Sequence, residues 1–418
     1  GKMKSFFRII SSFIILVAFN TANAESIKWL HLFGEDSSQY PNMVRAVEEF
    51  EAKTGHTVVL QYLENESFKA KLPTMLQSND RPDIFYSWGG GVMYDQARAG
   101  FLRDVSSVVP DSYLDTVSAA AADAFTFEGQ RVGLPLQVSQ VAWWYNKDLM
   151  SQAGIDVSQI KMWDDLLDAV KQIKAAGITP ICMGGKDKWP VHFVWTHLHI
   201  RNGGKGLFLE SLNNGGWDRP EYIRSGEQML ELVELEPFQK GWLAATWPDQ
   251  AGFFGDGKCA MAFMGNWMYG AQASNSASGE GLADANMGMF NMPMTSGGIG
   301  DSGDTLGGIN GWLFSSTASD AAVELMMHYV SLDIQKEDAS NGAYIPIVKG
   351  ADGSLTNPFL QQVAKNISNS EYHQIFYDQF LGADIGRVVN DVSTDLAAGI
   401  ISAEEATQAV QEAWEFNQ

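Results

Sequence analysis

The chain has 418 residues, of which 45% are hydrophobic and 19% charged, and its formal net charge is −22. This length and composition predict two or three globular domains rather than a disordered chain. So large a negative charge is repelled by phosphate backbones and anionic lipid headgroups, which argues against nucleic acid and membrane surfaces as partners.

The first residues have the pattern of a secretion signal. Lys4 and Arg8 precede an apolar run at 11–19 that is too short to span a bilayer, and the Ala-Asn-Ala sequence at 22–24 is a small-x-small cleavage site. We therefore predict a signal peptide at residues 3–24, removed on export.

Cys182 and Cys259 are the two cysteines of the sequence. Because no cysteine precedes Cys182, no lipid anchor is predicted, and a freely diffusing periplasmic protein is favoured. In an oxidising compartment the pair either forms a disulfide or remains two separate buried thiols, and the sequence leaves both alternatives open.

The first part of the mature chain alternates strands with helices. Strands are predicted at 27–33, 57–63 and 83–87, and helices at 41–54 and 68–77. This alternation indicates βαβ units and a largely parallel sheet. Ligands of such sheets bind beyond the carboxyl ends of the strands, which selects the loops at 34–37 and 88–91.

An extended crossing and a helix start are predicted over residues 130–150. Gly133 and Pro135 interrupt helix formation, and the valine- and aromatic-rich run after them is typical of a strand. Asn146 is placed to cap the helix that follows.

The rest of the chain continues the mixed pattern. Helices are predicted at 163–174, from 192, and at 220–235, 321–331, 371–380 and 403–414, with strands at 178–183, 259–264 and 311–315. A Gly-x-Gly-x-x-Gly match at 298–303 leads into no helix, so it is interpreted as a flexible loop rather than a dinucleotide site.

Several short motifs together resemble one protein family. They are Phe-Glu-Ala-Lys-Thr-Gly at 50–55, Pro-Asp-Ile-Phe at 82–85, the crossing at 133–149, Phe-Gly-Asp-Gly-Lys at 254–258, Met-Ala-Phe-Met-Gly-Asn-Trp at 261–267 and Gly-Gly-Ile-Asn-Gly-Trp at 307–312. In this order and spacing the chain resembles extracellular solute-binding protein family 1, the maltose-binding-protein-like sugar-binding components of ABC importers, over essentially all of its mature length.

The resemblance implies an α/β, two-lobe periplasmic-binding-protein fold (type II), with discontinuous lobes joined by hinge crossings. Lobe one would comprise residues 25–133 plus 308–350, and lobe two residues 134–307 plus 351–418. It also implies a monomer that captures a sugar between the lobes, closes over it and delivers it to ABC permease membrane subunits. The alternatives are a polyol or another non-sugar solute, or delivery to a membrane sensor.

A sugar offers an apolar C–H face and a rim of hydroxyl groups, so its site needs aromatic rings and polar side chains. Four tryptophans at strand ends or glycine-rich loops are candidates for stacking: Trp88, Trp189, Trp267 and Trp312. Trp267 is favoured because the family's Gly-x-Trp loop matches at 265–267. That loop and the 307–312 motif add Asn266 and Gly308 as candidate contacts.

The candidate polar contacts each have a structural alternative. Glu35 and Asp36 follow the first strand but are equally consistent with solvated charges. Gln137 lies in the crossing, and His192 and Asn310 are either ligand contacts or structural residues. Arg387 matches a frequent cationic contact of the family, although Asp384 or Asp391 could pair with it instead.

Catalytic and metal-binding patterns are weak. No spacing singles out a carboxylate pair for glycoside hydrolysis, and no Gly-x-Ser-x-Gly elbow occurs. His197 and His199, two residues apart, would not share a helix face. We expect no enzyme activity, no cofactor and no metal, with an exported carbohydrate-active enzyme as the remaining rival.

Overall fold

The computed structural model describes residues 23–418, so the predicted signal peptide lies almost entirely outside the described residues. The chain divides into two compact units. Unit 1 contains residues up to Ser87 together with 96–136 and 310–354, and unit 2 contains residues 88–95, 137–309 and 355–418. Across the described part of the chain, no helix has the length and apolar character needed to cross a membrane.

The structure is mixed α/β. Its strands are β1 (Ser26–His31), β2 (Thr57–Tyr62), β3 (Ile84–Ser87), β4 (Thr126–Phe127), β5 (Gln130–Arg131), β6 (Gly133–Val138), β7 (Val141–Asn146), β8 (Met261–Gly265), β9 (Met287–Phe290), β10 (Thr305–Leu306), β11 (Ile309–Phe314), β12 (Ile345–Pro346) and β13 (His373–Gln374). Its helices are α1 (Tyr40–Thr54), α2 (Asn65–Gln77), α3 (Gly90–Arg98), α4 (Asp111–Leu114), α5 (Ala119–Asp123), α6 (Lys147–Gln152), α7 (Trp163–Ala175), α8 (Trp189–Asn214), α9 (Pro220–Val233), α10 (Trp247–Gly255), α11 (Met268–Ser274), α12 (Asp320–Tyr329), α13 (Leu332–Ser340), α14 (Pro358–Asn369), α15 (Tyr377–Phe380), α16 (Ala383–Ala397) and α17 (Ala403–Phe416).

Unit 1 is built on a six-stranded sheet with the order β12-β6-β11-β3-β1-β2. Strand β1 runs parallel to both β2 and β3, whereas β11 runs antiparallel to β3. Trp29 and Trp312 pack edge to face, 5.2 Å apart between ring centroids, in its core. Gly55 ends α1 in the left-handed conformation, where a side chain is disfavoured, as its position after the amphipathic pattern predicts.

Unit 2 contains a three-stranded antiparallel sheet with β7 between β8 and β9. Trp143 of β7 is fully buried, with its ring 4.7 Å from that of Phe263 on β8. The predicted cap is confirmed, because the Asn146 side-chain oxygen accepts a hydrogen bond from Leu149 N at 3.0 Å. The end of β7 therefore positions the start of α6.

The two cysteines of unit 2 form a disulfide, which decides between the two alternatives left by the sequence. The strand predicted at 178–183 is wrong, because only Ile181 makes isolated bridges there, to Phe238 and Met261. Pro180, in the middle of that stretch, has no N–H to donate to a ladder, which limits the pairing to isolated bridges.

Residues 298–303 form a loop that leads into no helix, as predicted, and the wider stretch 295–304 is hydrogen-bonded to α8. Ile299 N donates to Asn202 O at 3.2 Å, and Gly300 N donates to Arg201 O at 3.0 Å. Thr295 donates from its hydroxyl to the Asn202 side-chain oxygen at 2.7 Å. The buried middle of α8, just before the kink at Gly204, therefore organises this loop through residues far away in the sequence.

The C-terminal region also differs from its prediction. The helix expected at 371–380 is instead the short strand β13 followed by the one-turn helix α15, while α14 and α16 were not predicted. Strand β13 has two residues and α15 has four, so both are too short for a hydrophobic period to distinguish strand from helix.

The segment 88–95 belongs to unit 2, although the sequence interpretation placed it in lobe one. The structure explains this by the close approach of Gly91 to the backbone near Gly382. A Cβ atom added at Gly91 would lie 2.3 Å from Gly382 N and 2.6 Å from Phe380 O. The absence of a side chain is therefore what allows α3 to begin against unit 2.

We expect Gly91→Ala to destabilise the protein by about 1–3 kcal/mol, since the clash is with backbone atoms that cannot rotate away. Gly270→Ala is the matched control, because an added Cβ at this helical glycine meets nothing within 4 Å. The control should be neutral or stabilising. Urea unfolding measures both variants, and equal stability of the two would contradict the packing argument.

Candidate functional site

Five aromatic side chains of unit 2, the aromatic cluster, come together at the ends of different elements. Trp189 begins α8 and Trp267 follows β8, with ring centroids 6.4 Å apart. The cluster consists of Trp189, Phe193, Trp247, Trp267 and Phe376. Trp247 and Trp267 are half-buried, whereas the other three are at most 8% exposed. The cluster therefore presents two ring faces supported by buried rings.

Polar groups lie beside these rings. His192 is fully buried, and its Nδ1 lies 2.6 Å from Trp189 O. A carbonyl can only accept, so Nδ1 carries the hydrogen. The other ring nitrogen lies 3.6 Å from an Asp378 carboxylate oxygen, beyond hydrogen-bond distance, and Asp378 accepts a hydrogen bond from the Asn390 amide at 3.2 Å. An imidazole and a carboxylate are thereby placed at the aromatic cluster.

An ion pair connects the start of α8 to α16. Lys188 Nζ lies 2.6 Å from Asp391 Oδ1, and both side chains are about half exposed. Lys188 has φ +65°, a conformation that non-glycine residues rarely adopt. Such a backbone persists only where its surroundings hold it, here at the residue before Trp189.

The other histidines of α8 belong to the core. Burial lowers the pKa of His199 to about 3, and that of His197 well below its usual value, so both are neutral at physiological pH. Within residues 23–418, no group of three or more His, Cys, Asp or Glu side chains is arranged to hold a metal ion. The site in unit 2 therefore consists of ring faces and hydrogen-bonding groups, an arrangement suited to binding.

Residues 34–337 match the family model for the bacterial extracellular solute-binding protein. The chain belongs to this family. The family assignment made from the motifs is thus confirmed, and its members are binding proteins located outside the cytoplasm.

Individual relatives are distant. An uncharacterised ABC transporter extracellular-binding protein of Pyrococcus horikoshii is 25% identical over 49% of this chain and 46% of its own length. The multiple sugar-binding protein of Streptococcus mutans is 20% identical, over 61% and 62% respectively. The chain spans about half the length of the first curated relatives that it matches.

A solved chitin oligosaccharide binding protein has the same fold. It superimposes with a TM-score of 0.84 at 23% identity, over 94% of this chain and 99% of its own. The predicted α/β solute-binding-protein fold is therefore confirmed.

The predicted site residues of this solute-binding protein in unit 2 have different environments. Trp189, His192 and Trp267 are brought together, and Trp88 is half-buried against the same core. Gln137, the first unit 2 residue after the crossing, is half-buried.

Three other predicted contacts in unit 2 have structural partners. The Asn266 side-chain oxygen accepts a hydrogen bond from Gln140 N at 2.9 Å, and the Asn266 backbone N–H donates to Gln140 O at 3.0 Å, so Asn266 joins the start of β7 to the end of β8. Gly308 N donates to the Ser139 hydroxyl at 2.9 Å. Arg387 is exposed and pairs with Asp384 at 3.6 Å, one of the two alternatives considered.

In unit 1, the predicted residues divide between surface and core. Glu35 and Asp36 are exposed in the loop after β1. Trp312 is fully buried beside Trp29, so its prediction as a stacking ring is corrected, because a ring without exposed surface offers no face to a ligand. Asn310 is 4% exposed, and its side-chain oxygen has no hydrogen-bond partner among residues 23–418.

The sequence interpretation missed Trp247, Phe193 and Phe376. Trp247 had a usable local signal, because Thr246 and Asp249 form a capping box around it and so place its ring at a helix start. Phe376 had no such local signal, because the stretch that contains it was predicted as a single helix at 371–380.

Proposed function

We propose that this protein binds a sugar, with a di- or oligosaccharide favoured over a monosaccharide. The observation that carries the proposal is the partly exposed Trp267 ring, backed by the buried Trp189, Phe193 and Phe376 rings and adjoining the group formed by His192 and Asp378. Trp247 and Trp267 are both partly exposed, and two such rings favour a ligand with more than one sugar ring.

The apolar ring of Trp267 and the polar side chains of His192 and Asp378 match the two kinds of surface that a sugar offers. The C–H face of a pyranose is apolar and packs on a tryptophan face. Each buried hydroxyl must be paired, because an unpaired one costs about 1–3 kcal/mol. The Asp378 carboxylate can accept from hydroxyl groups, and its side chain is only 10% exposed, so water competes weakly for it.

We further propose that the protein acts as the periplasmic component of an ABC importer. The signal pattern at residues 3–24 supports export, and the family assignment supports delivery to permease membrane subunits. The name of the Streptococcus mutans relative supports a sugar as cargo. In this role the protein binds and releases its ligand without chemical change, as a monomer and without a cofactor.

A thermal-shift panel of mono- and oligosaccharides of glucose, xylose, galactose and mannose tests the proposal, with glycerol phosphate and a peptide as non-sugar ligands. A sugar at about 100 times its dissociation constant should stabilise the protein by about 2.7 kcal/mol. We expect Trp267→Ala to abolish this shift, since it removes the stacking face.

Trp414→Ala is the matched control, because Trp414 is also a half-buried tryptophan of unit 2 but lies on α17, outside the aromatic cluster. It should retain the sugar-dependent shift. A shift with the phosphate ester or the peptide and with no sugar would refute the proposed ligand class. Full retention of the shift by Trp267→Ala would refute the proposed site.

A further inference from the structure

The disulfide of unit 2 ties together the two chain segments that end in Trp189 and Trp267. Cys182 starts the segment that leads to Trp189 at the beginning of α8, and Cys259 starts the segment that leads through β8 to Trp267. Both cysteines have 0% exposure. The covalent link is therefore internal, and it lies at the base of the loops that carry the two rings.

Apart from the disulfide, different backbone contacts hold these two segments in place. Strand β8 pairs with β7 along its whole length, from Met261 opposite Tyr145 to Gly265 opposite Val141. Its position is thus fixed by a complete antiparallel ladder. Trp267 follows directly after that ladder, so its backbone has little freedom.

The segment from Cys182 to Lys188 belongs to no strand. It is attached by separate hydrogen bonds, such as Met183 N to the Gln239 side chain at 2.8 Å and Gly185 N to Trp242 O at 2.8 Å. Beside Cys182, its backbone reaches β8 through Cys182 N, which donates to Met261 O at 2.9 Å. The disulfide is the covalent attachment of this segment to the segment that leads from Cys259 through β8 to Trp267.

We infer that the Cys182–Cys259 disulfide is a positioning element of the ligand site, which fixes the Trp189 ring against the Trp267 ring. The inference rests on the proposed sugar-binding function. Without the link, the 182–188 segment gains freedom, Trp189 no longer backs Trp267 in one orientation, and the affinity for the sugar falls. The effect on affinity is separate from any effect on the stability of the fold.

A purely structural disulfide would behave differently. It joins residues separated by 77 positions, so it restricts the unfolded chain and stabilises the folded protein whatever its position relative to the ligand. Such a role predicts a lower melting temperature with an unchanged dissociation constant. The two roles are therefore separated by measuring affinity in variants that remain folded.

The test compares Cys182→Ala/Cys259→Ala and Cys182→Val/Cys259→Ala with the wild type by isothermal titration of the sugar identified in the panel. The second variant restores buried volume and guards against a failure of the first to fold. Far-UV circular dichroism selects a temperature at which each protein is fully folded. We expect sugar binding to weaken about tenfold, the size expected for one misaligned aromatic contact.

Leu232→Ala is the matched control for stability. Leu232 is fully buried on α9, which carries none of the aromatic-cluster residues, and its truncation destabilises unit 2 without touching the disulfide. It should lower the melting temperature and leave the dissociation constant unchanged. A tenfold loss of affinity in this control as well would assign the effect to general destabilisation and overturn the inference.

A double-mutant cycle with Trp189→Ala shows whether the disulfide acts through this ring. If it does, removing the disulfide from the Trp189→Ala protein should weaken binding no further. Additive losses would overturn the inference, as would wild-type affinity in both disulfide variants.

Fluorine NMR of 5-fluorotryptophan-labelled protein gives a readout without sugar, with signals assigned by Trp189→Phe and Trp267→Phe. The Trp189 signal should shift or broaden when the disulfide is absent. If the wild type binds no sugar, the proposed function fails and this inference fails with it. If the wild type binds and the variants match it in affinity, only the inference fails.

Discussion

Arg201→Met should lower the free energy of unfolding by at least about 3 kcal/mol, the largest effect we expect from a single substitution. The Arg201 side chain has no exposed surface, and its guanidinium donates only to backbone carbonyl groups. Its nitrogens lie 3.0 Å and 3.2 Å from Met292 O, 3.0 Å from Asp301 O, 3.1 Å from Ser302 O and 2.9 Å from Asp304 O.

The cost arises because methionine fills much of the space but satisfies none of these carbonyl groups. Burial lowers the pKa of Arg201 to about 10, and the negative charges of Asp304 and Asp301 oppose that shift, so the side chain is charged at neutral pH. Removing it leaves several acceptors of one loop without donors.

Urea unfolding measures the loss, and hydrogen exchange locates it. The amides of Ile299 and Gly300, which donate to Asn202 O and Arg201 O in the middle of α8, should exchange faster in Arg201→Met. Arg219→Met is the control, since Arg219 is partly exposed and pairs with the exposed Glu210, so its loss should cost less than about 1 kcal/mol. A similarly small loss in Arg201→Met would show that the loop does not depend on the guanidinium.

Asp338→Asn should remove a pH dependence of stability from unit 1. Asp338 lies on α13 with 0% exposure, and it forms hydrogen bonds with the Asn42 amide and the Tyr344 hydroxyl. Burial raises the pKa of its carboxyl group to about 7, against the lowering effect of those two hydrogen bonds and of the positive charge of Arg45. Tyr329 also lies close enough to interact with the Asp338 charge.

The raised pKa of Asp338 determines whether stability rises or falls with pH. Between about pH 4 and about pH 7 the folded protein holds a proton on Asp338 that the unfolded chain has released, so stability falls as the pH rises through this range. The shift corresponds to about 2–4 kcal/mol. Because asparagine does not titrate, the variant should lack this decline and should be more stable than the wild type at pH 8.

Urea unfolding of both proteins from pH 4 to pH 8 checks this, and their difference isolates Asp338 from other titrating groups. Asp333→Asn on the same helix is the control, since this carboxylate is 82% exposed and pairs with Arg45 at the surface. It should follow the wild-type pH profile. An Asp338→Asn profile parallel to that of the wild type would contradict the assignment.

The sequence predicted elements well where the signal was local. Gly55 ends α1 and Asn146 caps α6 because the residues that decide each boundary lie within a few positions of it. The loop at 295–304 could not be predicted, because its order depends on Arg201 and Asn202 on another element. Nothing in the local sequence distinguishes that loop from a mobile one.

Only part of the candidate site was predicted, again because local motifs can be recognised in the sequence and contacts between distant elements cannot. Trp267 and Trp189 follow recognisable motifs, whereas Phe376 joins them only through the packing of unit 2. Trp312 is the opposite case, because the sequence suggested it as a site residue and the fold buries it. It follows a glycine-rich motif like the other candidates, but the sheet of unit 1 turns its ring into the core, and only the fold decides which face of a strand is buried.

The interleaving of the two units sets the order in which a newly made chain can fold. Strand β11 lies between β6 and β3 in the sheet of unit 1, yet it begins only at residue 309. Until that strand has been synthesised, β3 and β6 lack their shared neighbour, and the main sheet of unit 1 stays divided while the first 308 residues are translated. Unit 2 in turn needs the final helix, α17. A chain organised in this way keeps unit 1 open to chaperones and to threading through a narrow channel until β11 has been made.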